Sequence, residues 1–193
     1  MGLFNKTYNN FTDEELMGLV GKGVKAAFNE LYSRYDKKLH YFMLKILQYD
    51  AEKASDFLHD IFVQIIEKPE RFDTTKKFST WVYTLAKNMC LNELRNSANR
   101  ARLTTDAGKQ QETMYNPAYV AKMDASLFVT ELNKICTELS DKEQLIITLR
   151  FQQELSIKEI AEIMDCPEGT VKSGIYYLLK RIAKKIPHFN PNS

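Results

Sequence analysis

The stretch SIKEIAEIMDCPEGTVKSGIYYLLKR, residues Ser156–Arg181, determines the interpretation of this chain. Ser156 and Glu159 have the spacing of a capping box, in which the two side chains satisfy backbone N–H groups at a helix start. Apolar residues then recur at helical spacing, at Ile157, Ile160, Ala161 and Met164. The segment 165–169 interrupts this pattern, because its Pro cannot continue a helix and its Gly frees the backbone. A second helix is predicted from about Thr170, with its inner side formed by Val171, Ile175 and Leu178.

Two short helices joined by a tight break, with the small Ala161 at their crossing, predict a helix-turn-helix. The outer side chains of the second helix can contact DNA phosphates, base edges and thymine methyl groups. They are Thr170, Lys172, Ser173, Tyr176, Tyr177 and Lys180. The alternative is a helical hairpin buried in a larger domain. From Gly169 onward the chain has five basic residues and no acidic one, and charge of a single sign favours a phosphate-facing surface.

The composition favours an all-α fold. A chain of 193 residues with 44% hydrophobic residues is typical of one or two soluble globular domains. Its seven Gly and five Pro are few for a fold with many tight turns, and every long apolar pattern has helical spacing. The net charge of +2 says little, because acidic and basic residues occupy different segments.

The cysteines and the hydropathy pattern indicate a cytoplasmic protein. Cys90, Cys136 and Cys166 are odd in number and lack metal-ligand spacing, so we expect reduced, mostly buried thiols. We expect no membrane insertion, because no apolar run approaches the roughly 20 residues that a membrane span needs.

The pattern along the chain predicts two small helical domains. Residues 1–10 are expected to be a disordered tail, 11–98 an N-terminal helical domain, 99–123 a polar linker, and 124–188 a second domain that contains the helix-turn-helix at 156–181. Further helix starts are predicted from the capping boxes Thr12/Glu15 and Ser140/Glu143 and from Asp50. The last helix of the N-terminal domain is predicted over about Lys77–Arg95.

The segment DFLHDIF, Asp56–Phe62, places two acidic residues four positions apart on one helix face. Like charges at this spacing mildly destabilise an isolated helix. The segment is therefore either a solvated acidic face or a docking surface for a basic partner.

The segment from Lys76 to Arg102 combines basic residues with Phe78, Trp81 and Tyr83 and contains only one acid, Glu93. Basic charge with aromatic rings suits single-stranded DNA, whose bases stack while its phosphates meet Lys and Arg. Trp81 fits a core position and a functional one equally well.

Two asparagines one turn apart in this segment, Asn88 and Asn92, could hydrogen-bond to base edges, although a surface Asn is usually only solvated. Catalysis is not expected, because His40, His59 and His188 are scattered and no nucleophile elbow, P-loop or HExxH motif occurs. No cofactor or metal is expected.

At this point four segments together resemble a known family. AFNELYSRY, DFLHDIF, FSTWVYTLAKN and LSIKEIAEIMDCPEGTVKS occur in the order found in bacterial RNA polymerase sigma factors of the sigma-70 type, in the extracytoplasmic-function group. The resemblance covers about residues 24–98 and 124–186. It implies two helical domains, regions two and four, that are joined by a flexible linker.

The resemblance also implies roles for residues. The segment with Asp56, His59, Asp60 and Phe62 would dock on the clamp coiled coil of core RNA polymerase, although relatives usually carry Gln at position 59. The helix from Phe78 would bind and melt the minus-ten promoter element, with Asn88 lining a pocket for a flipped base. The residues assigned to this contact are Lys77, Trp81, Tyr83, Lys87, Asn88, Asn92 and Arg95. The second domain would read the minus-thirty-five element and touch the polymerase flap.

The recognition helix departs from the family pattern at Gly174, where relatives commonly have Arg, and at Tyr177 and Leu179, where they are often basic. We therefore expect minus-thirty-five reading to be weakened, with recruitment relying on the minus-ten element or on a separate DNA-targeting partner. Many relatives are held by an anti-sigma factor between the two domains.

Two rival interpretations remain at this stage. A stand-alone helix-turn-helix regulator would bind duplex DNA without polymerase, and it would need neither the acidic nor the basic-aromatic segment. A helical interaction protein would keep only the fold, for instance to sequester polymerase.

Overall fold

The structure, a computed structural model, describes residues 8–103 and 139–185. The described residues form helices and turns without any strand, which confirms the all-α class. The chain divides into two compact units at the boundary between Ser97 and Ala98. Most of the predicted linker, and the helix expected after residue 124, lie outside the described residues.

The N-terminal unit contains four α-helices and two short 3₁₀ helices among its described residues. The α-helices are α1 (Asp13–Val20), α2 (Lys25–Ile46), α3 (Ala51–Glu67) and α4 (Phe78–Leu103), and the 3₁₀ helices are Tyr8–Asn10 and Pro69–Arg71.

The predicted helix starts of this unit are confirmed by their hydrogen bonds. Thr12 Oγ1 accepts from the N–H of Glu15 at 3.2 Å, and Glu15 Oε2 accepts from the N–H of Thr12 at 2.8 Å. Asp50 Oδ1 accepts from the N–H of Lys53 at 3.0 Å. Each cap satisfies a backbone donor that the helix itself cannot pair.

Part of the core of this unit is an aromatic cluster between α2 and α4. The rings of Phe42 and Tyr83 meet edge to face with centroids 5.1 Å apart, and those of Tyr35 and Phe78 do so at the same distance. All four residues are buried, and Phe42 and Phe78 are completely inaccessible to solvent. Aromatic pairs in this geometry add to the free energy gained by burial.

Arg34 holds the N-terminal segment on α2 and corrects the prediction of a disordered tail at residues 8–10. Its guanidinium donates to the carbonyl oxygens of Tyr8 (3.2 Å) and Asn9 (3.0 Å). It also donates to the carbonyl oxygen of Phe11 (2.9 Å) and to Asp13 Oδ1 (2.7 Å). A planar cation with several donors can satisfy these oxygens together, so residues 8–10 form a 3₁₀ helix instead of fraying.

Helix α4 is longer than predicted and continues through residues 99–103, which were assigned to the linker. The sequence after Arg95 contains no Gly or Pro before Gly108. Its Ala, Arg and Leu residues favour helix, so nothing in the local sequence ends α4 where the polar character begins.

The C-terminal unit contains three α-helices among its described residues. They are α5 (Asp141–Ile147), α6 (Ile157–Met164) and α7 (Glu168–Lys185), and a π-helical turn, Thr148–Gln152, follows α5. The predicted capping boxes at Ser140/Glu143 and Ser156/Glu159 are both present. The core of the described part consists mainly of Ile146, Leu149, Ile160, Ala161, Ile163, Val171 and Leu178.

The turn between α6 and α7 differs in detail from the prediction. Asp165 occupies the left-handed conformation, with φ of 51°, and ends α6. The carbonyl of Pro167 accepts from the N–H of Thr170 at 2.9 Å, so α7 begins at Glu168, two residues earlier than expected. Gly169 therefore lies inside the helix and is not the turn residue. Asp tolerates the left-handed region better than most residues, which explains why the break needs no glycine.

Gly174 lies on the packed side of α7, three residues after Val171 and four before Leu178, both of which are buried. A Cβ atom at Gly174 would meet Ile146 Cδ1 at 3.5 Å, which is an ordinary van der Waals contact. The position departs from the family pattern, but a side chain there would start at the interface with α5. The absence of a side chain at Gly174 therefore affects mainly the packing of α7 against α5.

We expect Gly174→Ala to stabilise the C-terminal unit by about 1 kcal/mol, because Ala is the better helix former and its methyl group fits against Ile146. Gly23→Ala is the contrasting variant. Gly23 has φ of +77°, so Ala should lower the stability of the N-terminal unit by about 1–2 kcal/mol. Thermal unfolding followed by the amide NMR signals of each unit measures both changes. A destabilised Gly174→Ala variant would contradict the packing described here.

Candidate functional surfaces

Four of the residues assigned to single-stranded DNA share one side of α4, which we call the α4 face: Trp81, Asn88, Asn92 and Arg95. At about 100° per residue they lie within an arc of roughly 60°. Asn88, Asn92 and Arg95 are exposed, and Lys77, which directly precedes the helix, is exposed as well. The helix thus brings four of the predicted residues onto one side.

Trp81 is half-buried, which is compatible with both the core position and the functional one that the sequence left open. Its ring packs against Phe72, with centroids 5.3 Å apart, and against Phe78 at 5.8 Å. This packing restricts the orientation of the indole while part of the ring stays accessible. A ring fixed in this way can stack on a base at a low entropic cost.

Two other predicted DNA contacts do not belong to the α4 face. Tyr83 is 1% exposed and packs on Phe42 in the core, where burial raises the pKa of its phenol. The prediction that Tyr83 contacts DNA is therefore wrong, because Tyr83 follows Trp81 by two residues and so lies on roughly the opposite side of α4, against Phe42 of α2. Lys87 is half-buried and lies about 100° round the helix from Asn88.

The predicted acidic surface, which we call the α3 face, consists of Asp56, His59 and Asp60, and all three residues are exposed. Phe62 is only 4% exposed, so the prediction that it contacts a partner directly is wrong. Its ring packs against those of Tyr32, at 4.6 Å between centroids, and Phe28, at 5.9 Å. Phe62 instead holds α3 against α2.

The sequence reasoning missed two large apolar residues beside the α3 face. Ile66 is 53% exposed and follows His59 by seven residues, which puts the two on the same side of α3. Tyr32 on α2 is 43% exposed, and its ring lies over Phe62. The seven-residue spacing from His59 was the available signal for Ile66. No sequence spacing indicated the exposure of Tyr32, because this exposure depends on the packing between helices.

The outer side of α7, the α7 face, carries the predicted recognition residues. Thr170, Lys172, Ser173, Tyr176, Tyr177 and Lys180 are all exposed. The rings of Tyr176 and Tyr177 are 60% and 63% exposed and meet edge to face at 5.5 Å. Lys184 is also exposed and lies seven residues after Tyr177. The predicted set of recognition residues did not include it.

Two groups on the α7 face already have partners within the helix. Lys172 Nζ lies 3.4 Å from Glu168 Oε2, and both side chains are largely exposed, so this ion pair is weak. Ser173 Oγ lies 2.8 Å from the carbonyl oxygen of Gly169, to which it donates. Glu168 precedes the basic stretch and reduces the net positive charge at the start of α7.

Glu143 connects the start of α5 to the end of α7. Its Oε2 accepts from the N–H of Ser140 at 2.9 Å, and its Oε1 accepts from Arg181 Nη2 at 2.7 Å. The hydrogen bonds from Ser140, and then the Arg181 guanidinium, lower the pKa of Glu143 below its ordinary value. This carboxylate thus fixes the end of α7 against the start of α5.

The described residues contain no group of His, Cys, Asp and Glu side chains that could hold a metal ion. Cys90 is buried, and burial raises the pKa of its thiol to about 12, while Cys166 is half-buried and Cys136 lies outside the described residues. Within the part of the chain that the structure covers, no helix is long and apolar enough to cross a membrane.

Comparison with known proteins agrees with this architecture. The family profile Sigma-70 region 2 matches residues 31–100, and the profile Sigma-70, region 4 matches residues 137–184. The chain is 30% identical over 174 residues to the ECF RNA polymerase sigma factor SigW of Bacillus subtilis, covering 86% of this chain and 92% of that protein. It is 32% identical over 187 residues to the ECF RNA polymerase sigma-E factor of Haemophilus influenzae, covering 91% and 95%.

Two solved structures share the fold. The sigma factor RpoE of Bartonella quintana, in complex with the anti-sigma factor NepR, superposes with a TM-score of 0.65 at 20% identity and covers 86% of this chain and 100% of its own. CnrH, in complex with the cytosolic domain of CnrY, gives a TM-score of 0.61 at 16% identity and covers 89% and 95%.

The profiles and the relatives together show that the chain belongs to the sigma-70 family of RNA polymerase sigma factors, in its extracytoplasmic-function (ECF) group. Its function is transcription initiation, in association with core RNA polymerase and promoter DNA. A stand-alone helix-turn-helix regulator is not favoured.

We expect the stability of the C-terminal unit to fall in acid through Glu143. A carboxylate whose pKa is lowered by folding stabilises the fold above its unfolded value of about 4.3, and this contribution is lost as the pH falls through the lowered pKa. Glu143→Gln keeps the capping hydrogen bond but loses the charge, so its stability should depend less on pH. Thermal unfolding followed by the amide signals of α5 and α7 between neutral and acid pH measures the difference. Glu162→Gln, an exposed change on α6, is the control, and an equal pH dependence in Glu143→Gln would refute the assignment.

Proposed function

We propose that this sigma factor opens promoters by holding an unpaired base of the non-template strand on the α4 face. The observation that carries the proposal is the common exposed side of Trp81, Asn88, Asn92 and Arg95, with Trp81 braced from behind by Phe72. Stacking of a base on an aromatic ring contributes about 1–3 kcal/mol. An Asn amide offers a donor and an acceptor to a base edge, and Arg95 and Lys77 offer charge to the phosphates.

The α3 face is proposed to dock on a basic surface of core RNA polymerase. Asp56 and Asp60 supply negative charge for steering and register, and His59 lies between them. Ile66 and Tyr32 lie beside this charge with about half of their surface exposed. Protein interfaces combine apolar contact area with polar groups at its rim, and the α3 face with Ile66 and Tyr32 offers both.

The α7 face is proposed to read the minus-thirty-five element weakly. We attach this weakness to Tyr177 instead of Gly174, because Tyr177 is 63% exposed while Gly174 lies against α5. Lys180 and Lys184 remain available for phosphates, and the two tyrosine rings offer apolar contact to thymine methyl groups. Fewer cations on the reading face mean fewer released counterions and lower affinity.

Regulation by an anti-sigma factor is proposed from the complexes of the two structural neighbours, whose partners are NepR and CnrY. A separate DNA-targeting partner is the alternative if the α7 face contributes little. The mechanism is proposed to be non-catalytic, because polymerase performs the chemistry. The cytoplasmic location is proposed because core polymerase and the chromosome lie there.

Asn88→Ala should reduce promoter opening by roughly tenfold or more, since a lost base contact costs about 1–3 kcal/mol, and should leave polymerase affinity unchanged. The double variant Asp56→Asn/Asp60→Asn should do the opposite and weaken polymerase binding by roughly tenfold. Abortive transcription and permanganate footprinting measure opening, and a fluorescence titration with core polymerase measures affinity.

The controls for this crossed design are Asn96→Ala and Glu70→Gln. Asn96 is exposed on α4 but lies about 80° round the helix from Asn88, and Glu70 is an exposed acid after α3. Neither control should change its assay by more than about twofold. If Asn88→Ala opened promoters normally, or if it lost polymerase affinity as well, the proposed role of the α4 face would be wrong.

Promoter DNA that is randomised in both elements can be selected for templates that polymerase opens with this protein. We expect this selection to enrich particular minus-ten sequences strongly and particular minus-thirty-five sequences only little. Tyr177→Arg should then bind promoter DNA more tightly, with a salt dependence steeper by about 0.9 in the logarithmic slope, because it adds one phosphate contact. Gly174→Ala is the control and should leave that slope unchanged. Strong, selective enrichment of one minus-thirty-five hexamer by the unaltered protein would end the proposal of weak reading.

A further inference from the structure

Helix α4 begins after a residue whose side chain cannot cap it. The residue before it, Lys77, has an ammonium side chain that can donate hydrogen bonds but cannot accept them. The first turn of α4, which the structure describes in full, contains no acidic residue. A helix start leaves backbone N–H groups that need an acceptor, and Phe78, which carries the first of them, is completely buried.

The acceptor comes from α1, 64 residues earlier in the chain. Glu14 Oε1 accepts from the backbone N–H of Phe78 at 3.0 Å. The carboxylate also places negative charge at the positive end of the α4 dipole, where it is stabilising. A charge-assisted hydrogen bond of this kind is stronger than a neutral one.

Glu14 is itself held in place by its neighbours on α1. Asp13 is hydrogen-bonded by Arg34 at 2.7 Å and by the hydroxyl of Tyr35 at 2.5 Å, both from α2. Leu16 and Met17 are buried. The adjacent acids Asp13 and Glu14 therefore connect α1 to α2 and to α4, respectively.

Phe78, whose backbone N–H donates to Glu14, also supports the α4 face. The ring of Phe78 packs against Tyr35 at 5.1 Å between centroids and against Trp81 at 5.8 Å. A shift of the first turn of α4 would move Trp81 with it. Asn88 follows on the same side of the helix, seven residues later.

We propose that Glu14 is a positioning residue for promoter opening, which acts by fixing the first turn of α4 and so the placement of Trp81 and Asn88. This inference rests on the proposed role of the α4 face. Glu14 does not touch DNA or polymerase in this mechanism. Its effect passes through the hydrogen bond that it accepts from the backbone N–H of Phe78.

The direct test is amide hydrogen exchange in the full-length protein. The Phe78 amide should be protected in the unaltered protein, although the first amides of a helix usually exchange freely. Glu14→Ala should speed its exchange by roughly tenfold or more and reduce promoter opening by a similar factor, with polymerase affinity unchanged. Glu14→Gln keeps an acceptor oxygen and should restore most of the opening activity.

Glu15→Ala is the matched control, because Glu15 neighbours Glu14 on α1 but caps α1 itself, through the hydrogen bond that its Oε2 accepts from the N–H of Thr12. It should weaken α1 without the selective loss of opening. A freely exchanging Phe78 amide in the unaltered protein would overturn the inference without any variant, even if Glu14→Ala failed to fold. Equal losses of opening in Glu15→Ala and Glu14→Ala, or no rescue by Glu14→Gln, would also overturn it.

Asn88→Ala in the same assays separates this inference from the function on which it rests. If Asn88→Ala lowers opening and Glu14→Ala does not, the positioning role fails and the α4 face stands. If neither variant lowers opening, the proposed role of the α4 face fails first.

Discussion

The packing of α4 on α2 through four aromatic rings is the constraint on which the N-terminal unit depends. Phe42, Tyr83, Tyr35 and Phe78 fill the space between these helices and fix the rotation of α4 about its own axis. Once that rotation is fixed, Trp81 and Asn88 must face away from α2. A helix that presents side chains to single-stranded DNA needs this rigidity, because mobile groups would lose entropy on binding.

Charge and apolar area are distributed between separate surfaces of the chain. The α3 face is acidic with exposed Ile66 and Tyr32 beside it, while the α4 face is basic and amide-bearing and has a braced indole. A protein partner and a nucleic acid need these different chemistries. Their location on successive helices of one unit would let the proposed polymerase docking and the proposed DNA capture use different surfaces of that unit.

The C-terminal unit relies on a carboxylate in a similar way to the N-terminal unit. Glu143 caps α5 and pairs with Arg181 of α7, as Glu14 caps α4 from α1. In each case a glutamate supplies the acceptor that a helix start lacks and also ties two helices together. One ionised side chain satisfies a local requirement and a long-range one.

The sequence by itself determined the all-α class, the capping boxes, the helix-turn-helix and the exposed residues of the α3 and α7 faces. These features depend on local chemistry, because a cap is satisfied within three residues and helical periodicity is visible along the chain. Only the tertiary structure decided that Tyr83 and Phe62 are core residues, that Arg34 orders residues 8–10, and that Glu14 caps α4. These depend on which helices meet, since a contact across 64 residues leaves no periodic signal in the sequence.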